Sequence, residues 1–221
     1  MINYGLGFLV AVCLFALGYY IGATEYEGAF TGVTWTDIGT LFVTFFGFAF
    51  GFLTYFQWQS GKRKEDAYSA AKHYVAALDE VDEHLHELLF QYNHICPASG
   101  VVLEGKDASS KRFEHLNSLW HYLYEARHNL HKAYRELSFW HVKLSHESAK
   151  DYNQTLTLLS DISVVCSALN NQLFQLISND AGDTSGVARE KERFDELYNE
   201  LHQIAQRRVQ HGFKAMFRFG G

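Results

Sequence analysis

Hydrophobic and polar positions follow two different patterns along this chain. From Met1 to Ala23, and again from Ile38 to Gly61, there is no Asp, Glu, Lys or Arg. Each run exceeds the roughly 20 residues an α-helix needs to cross the hydrocarbon core of a bilayer. After Lys62 apolar residues return only at helical spacing. Tyr74, Leu78, Val81, Leu85, Leu88, Tyr92 and Ile95 recur in steps of four and three, the coiled-coil period. A second seam runs through Leu116, Leu119, Leu123, Ala126, Leu130, Ala133, Leu137, Trp140 and Leu144. A third uses Leu159, Ile162, Cys166, Leu169, Leu173 and Leu176, and a fourth Phe194, Leu197, Leu201 and Ile204.

These seams predict helices over about 65–95, roughly 112–146, a third opened by a Ser148-x-x-Asp151 cap, and a last one after the loop 179–186. Pro97, the only proline, with Ser99 and Gly100, ends the first. The predicted fold is all-α: a two-helix transmembrane hairpin over 1–61, with an external loop at 24–37, followed by a cytoplasmic bundle or coiled coil of about four long helices over 62–221. The second span can also continue through Gln57–Ala71 into the first bundle helix as one rod. Gly61 is then its weak point and lever hinge, because glycine costs about 1 kcal/mol relative to alanine inside a helix.

Charge sets the predicted orientation. Lys62, Arg63 and Lys64 close the second run, whereas the connecting segment carries only the acids Glu25, Glu27 and Asp37. The positive-inside rule then places both termini of this multi-pass protein in the cytoplasm, with a short loop outside. A cleaved signal peptide is the rival reading of the first run, but that run lacks a basic start and a good cleavage site. Gly18-x-x-x-Gly22 and Gly47-x-x-x-Gly51 put small residues on one helix face, where backbones can approach closely. Such faces pack the spans of one chain together or join copies into a homo-oligomer. Neither run holds an ionisable residue that would mark a proton relay or ion site.

The net charge of −6 leaves 19 basic against 22 acidic residues beyond position 61, which argues against a general nucleic-acid binder. A basic end stands apart: Arg207, Arg208, His211, Lys214 and Arg218 follow Glu200 without an intervening acid. It is read as a helix end favoured by the dipole, a headgroup contact, or a contact to nucleic acid or a ligand. Cys13, Cys96 and Cys166 form no ligand spacing. Glu83-x-x-His86 and Glu125-x-x-His128 repeat the spacing of di-iron bundles, but both fall outside the seams, so no metal or other cofactor is expected. No nucleophile elbow or phosphate-cradling loop is present, and the chain is not expected to be an enzyme.

The two charge-free runs ending at Ser60, the Lys62-Arg63-Lys64 stop and the helical domain after it give a layout that resembles the small two-span effectors of bacterial anti-phage systems. Those accompany retrons or signalling CRISPR systems. The resemblance covers the whole chain as layout and assigns no role to any residue. It implies an effector held inactive until infection is sensed, then released to permeabilise the inner membrane. The implied regulator is a reverse transcriptase with its nucleic acid, or a cyclic oligonucleotide. A membrane-anchored coiled-coil scaffold that recruits a cytosolic protein is the alternative.

Overall fold

The computed structural model describes position 12 and residues 35–96, 106–179 and 184–220. Four helices and two short strands follow in order: α1 (Trp35–Ile95), α2 (Lys106–Phe139), β1 (Val142–Leu144), α3 (His146–Asn179), α4 (Thr184–Met216) and β2 (Phe217–Phe219). The chain divides into two compact units, Met1–Arg63 and Lys64–Gly221.

In the first unit the described part is the apolar start of α1. Its phenylalanines lie along the helix, with Phe52 against Phe56 at 4.6 Å and Phe48 against Phe52 at 6.2 Å between ring centroids. Thr44 and Thr54 each donate their hydroxyl to the carbonyl four residues back, Thr40 and Phe50, at 2.8 Å. These two hydroxyls are thus satisfied within the helix, as a lipid environment would require. α1 is long and apolar enough to cross a membrane, and none of its apolar window is buried.

The expected fold class is corrected here. Among the described residues there are four helices in all, and α1 alone is a candidate membrane span. The run 38–61 and the first bundle helix are one element of 61 residues, so the two-helix transmembrane hairpin with a separate four-helix bundle does not stand. The helix carries through because the glycine penalty at Gly61 is offset by good helix formers on either side, from Gln57 to Ala71. The first run, with Gly18 and Gly22, lies outside the described residues except at position 12, which is helical. So does most of the predicted external loop.

In the second unit the seam positions form the core. Leu85, Leu88, Leu116, Leu130, Leu159, Leu169, Leu173 and Phe194 are all sealed from solvent. Contacts fix the helix directions. Asn129 donates to Glu80 at 3.3 Å, and His115 lies 3.9 Å from Glu87, so α2 runs antiparallel to α1. Arg208 near Asp82 and Tyr198 near His86 set α4 antiparallel to α1 as well. The Tyr92 hydroxyl donates to Asn170 at 2.9 Å, and Asn170 donates to Asn117 at 3.1 Å. This buried polar chain ties three helices in one register, since slipping any of them would strand a polar group without a partner.

Two short strands replace what the periodicity read as helix. α2 stops at Phe139 rather than near 146, and His141 adopts a left-handed φ of 57° that turns the chain. Leu144, expected on the second seam, lies instead in β1. α4 breaks at Gly212, whose φ of 71° and ψ of 164° fall in a region essentially reserved for glycine. The chain beyond it returns as β2, antiparallel to β1, pairing Val142 with Phe219, Lys143 with Arg218 and Leu144 with Phe217. Gly220 donates to the His141 carbonyl at 3.2 Å, and a Cβ there would meet that oxygen at 3.1 Å. The cap of α3 also moves: Ser145, not Ser148, accepts at its hydroxyl from the Ser148 amide, 3.3 Å away. The Ser145 amide donates to the Met216 carbonyl at 2.8 Å, which fastens the end of α4 to the start of α3.

Candidate functional site

A groove of about 680 Å³ lies in the second unit, between α1 and α4. Its volume lies in the range of small-molecule sites. The seams place its parts. Leu85 and Leu201 supply an apolar floor, while Asp79, Asp82 and His86 flank the seam of α1 and Tyr198, His202 and Arg208 flank that of α4. Arg208 falls one turn after the buried Ile204, so its guanidinium is directed towards α1.

Arg208 is the centre of this site. Its Nη2 donates to Asp82 Oδ2 at 2.6 Å and to Asp79 Oδ1 at 3.0 Å. The arginine side chain is only 12% exposed, with Asp82 at 29% and Asp79 at 66%. Burial raises the Asp82 carboxyl above its ordinary range, although the charge and hydrogen bond of Arg208 pull the other way. Desolvation thus outweighs the ion pair at Asp82. Two carboxylates hold one guanidinium, so a phosphate group reaching Arg208 would have to compete with both.

An aromatic and imidazole wall faces that pair. The Tyr198 hydroxyl lies 3.0 Å from His86 Nδ1, and its ring stacks on His202 with centroids 5.8 Å apart. Burial, then the nearby Asp82, raises the Tyr198 hydroxyl pKa above its usual value. Gln206 Nε2 sits 2.9 Å from His202 Nε2. On its other side Arg208 reaches a cavity of about 20 Å³ shared with Tyr74, Asp151, Tyr152 and His211. That space suits about one water molecule.

The basic C-terminal residues separate into two sets. Arg207 pairs with Asp151 at 3.0 Å and His211 lies 3.6 Å from Glu147, so both, like Arg208, meet acids of neighbouring helices. Lys214 and Arg218 are exposed, Arg218 on β2. Gly47 and Gly51 lie on α1 with nothing within 4 Å of where a Cβ would stand, and Gly61 is helical and equally open. Lys62, Arg63 and Lys64 are exposed on α1. Gly18 and Gly22 lie outside the described residues.

Burial pushes the Cys96 and Cys166 thiols up to about 12, which disfavours the reactive thiolate. Glu83, His86, Glu125 and His128 are exposed, and His86 is engaged by Tyr198. Among the described residues no group of three or more His, Cys, Asp or Glu is arranged to hold a metal ion.

Sequence reasoning singled out Arg208 but missed its partners. Asp79 and Asp82 lie 129 and 126 residues away, and only the antiparallel docking of α4 on α1 unites them. A usable signal existed in the pairing of flanking charges: an acid pair beside one seam and an arginine beside another. No family model, no curated protein and no solved structure matches the chain.

Proposed function

We propose that the chain is a membrane effector of a bacterial anti-phage system, anchored in the inner membrane by α1, with its helical bundle on the cytoplasmic side. The observation that carries this reading is the continuity of α1: one helix holds both an uncovered apolar segment and the first core seam of the bundle. An event at the bundle therefore acts on the same element that meets the lipid. The open face at Gly47 and Gly51 supports assembly between copies, since close backbone approach needs small residues with free space above them. The layout resemblance supplies the biological setting, with a reverse transcriptase and its nucleic acid, or a cyclic oligonucleotide, as the regulator. No catalytic step and no cofactor belong to this function.

Expression in bacteria with a membrane-potential dye tests it. The wild-type chain collapses the potential, and Gly51→Leu, which has room for its side chain on α1 but blocks close approach, preserves it. Unchanged potential and viability on expression of the wild type, with and without its genomic neighbours, would end the effector reading. A scaffold is the second reading, favoured by large apolar side chains left exposed on the bundle, among them Tyr124, Val164 and Phe174. A scaffold keeps its function when residues 1–61 are replaced by an unrelated anchor; an effector does not.

A further inference from the structure

The groove between α1 and α4 carries an unbalanced set of charges. Arg208 uses a single nitrogen, Nη2, to reach one oxygen of Asp79 and one of Asp82. Among the described residues no donor meets the other oxygen of either carboxylate, Asp79 Oδ2 or Asp82 Oδ1. An ionised carboxylate accepts at both oxygens, so acceptor capacity is left over where these two side chains line the groove. The surplus is also one of charge. Two carboxylates share one guanidinium, and α1 adds Glu80, Glu83 and Glu87 in the same stretch, with no Lys or Arg from Asp79 to Glu87. A concave site walled by one sign of charge concentrates ligands of the opposite sign.

The remaining walls select the kind of cation. Leu85 and Leu201 give an apolar floor, which suits a methylene chain better than a hydrated ion. Among the described residues no three or more His, Cys, Asp or Glu are grouped to hold a metal ion. A second polar pair stands farther along the same groove, where the Tyr198 hydroxyl lies 3.0 Å from His86 Nδ1. On α1, His86 follows Asp82 by one helical turn and Asp79 by two, a rise of about 6 to 10 Å. With the tyrosine proton donated to the imidazole, the phenolic oxygen keeps lone pairs for another donor.

We infer that this groove binds a short aliphatic diamine. One ammonium takes the unused oxygens of Asp79 and Asp82, the methylene chain crosses Leu85 and Leu201, and the second ammonium meets the Tyr198 oxygen. The ligand joins the Arg208 clamp without displacing it, because each carboxylate keeps one oxygen for the guanidinium. It supplies the positive charge that a single arginine leaves missing, and it ties α1 to α4 at two levels. An anionic ligand meets the reverse situation, an acidic wall and an arginine already held.

Equilibrium dialysis of the full chain in detergent against cadaverine tests this at fixed ionic strength. Saturable binding is expected, weakened at least about tenfold by Asp82→Asn, the loss of one charged hydrogen bond. Circular dichroism checks that this variant folds; if it does not, Asp79→Asn, at a side chain 66% exposed, carries the same test. Tyr198→Phe should weaken cadaverine by about tenfold and leave pentylamine, the same chain with one ammonium, unchanged. Absence of saturable binding, or undiminished affinity in a folded carboxylate variant, overturns the site. Equal weakening of cadaverine and pentylamine by Tyr198→Phe overturns the two-ended placement. Displacement of cadaverine by magnesium at matched charge shows simple screening and overturns the organic ligand. A cyclic dinucleotide that displaces cadaverine and loses its own binding in Arg208→Ala overturns the choice of a cation.

Discussion

Along α1, two stretches of comparable apolar content meet opposite surroundings. Between Gly39 and Ser60 the large side chains lie on every side of the helix, and Phe48 and Phe50 are 74% and 73% exposed. Between Tyr74 and Ile95 they occupy one stripe, and Leu88 and Tyr92 are 0% exposed. The difference lies in angular distribution rather than in amount. A stripe is covered by neighbouring helices, whereas a helix apolar all round needs an apolar solvent or a deep core to surround it. Backbone conformation is the same in both stretches, so the surroundings are chosen by side-chain pattern alone.

Substitutions can break this contrast from either side. The largest effect is expected in the stripe: Leu88→Ala leaves a cavity in a sealed core and should cost about 4 kcal/mol of bundle stability. Denaturation followed by circular dichroism in detergent reads it, and membrane retention should not change. In the all-round stretch Phe48→Asp should do the reverse, weakening insertion by about 3 kcal/mol. Carbonate extraction of cell membranes would then release the chain, while the melting of its bundle stays as before. If Phe48→Asp instead destabilised the bundle, the apolar stretch would be packed rather than lipid-facing.

Smaller effects sharpen the contrast at the groove and at the junction. Arg208→Ala removes two charged hydrogen bonds and leaves Asp82 half-buried without its partner, for a loss of about 2 kcal/mol. The pH dependence of this site has a definite sign. Asp82 keeps its proton in the folded state to a higher pH than its ordinary 3.8, so its contribution to stability falls as pH rises from 3.8 towards the raised value. Asp82→Asn should flatten that fall, visible as a smaller change in urea midpoint between wild type and variant runs across this window. The smallest effect belongs to Gly61→Ala, which has open space for the methyl group. It should stabilise α1 by about 1 kcal/mol. Lower activity in the membrane-potential assay, despite the added stability, would mark Gly61 as a point where the helix must bend.

How much was legible follows from the range of each interaction. The seam from Tyr74 to Ile95 could be read residue by residue because burial on a helix repeats with the local period. A continuous helix through Gln57–Ala71 could also be read, whereas the two-helix hairpin with a separate four-helix bundle did not hold, because α1 is the single candidate span among the described residues. The end of α2 was misread since Trp140 and Leu144 keep the helical spacing. What stops the helix is the left-handed turn at His141 and the pairing of β1 with a strand more than seventy residues later. Gly212 carried a weak local hint, but a single glycine in a basic, aromatic tail does not announce a strand.

The sequence by itself determined where apolar surface must be hidden and from what: an all-round apolar stretch suited to lipid, and four stripes suited to one another. Hydrophobic periodicity is a local property, and the solvent it demands follows from the chain without knowledge of its partners. Only the tertiary structure decided which polar groups meet. It placed Arg208 between Asp79 and Asp82, threaded Tyr92, Asn170 and Asn117 through the core, and set Lys143 across from Arg218. Those pairings depend on helix order, direction and register, which stripes of equivalent leucines leave undetermined and which specific polar contacts fix.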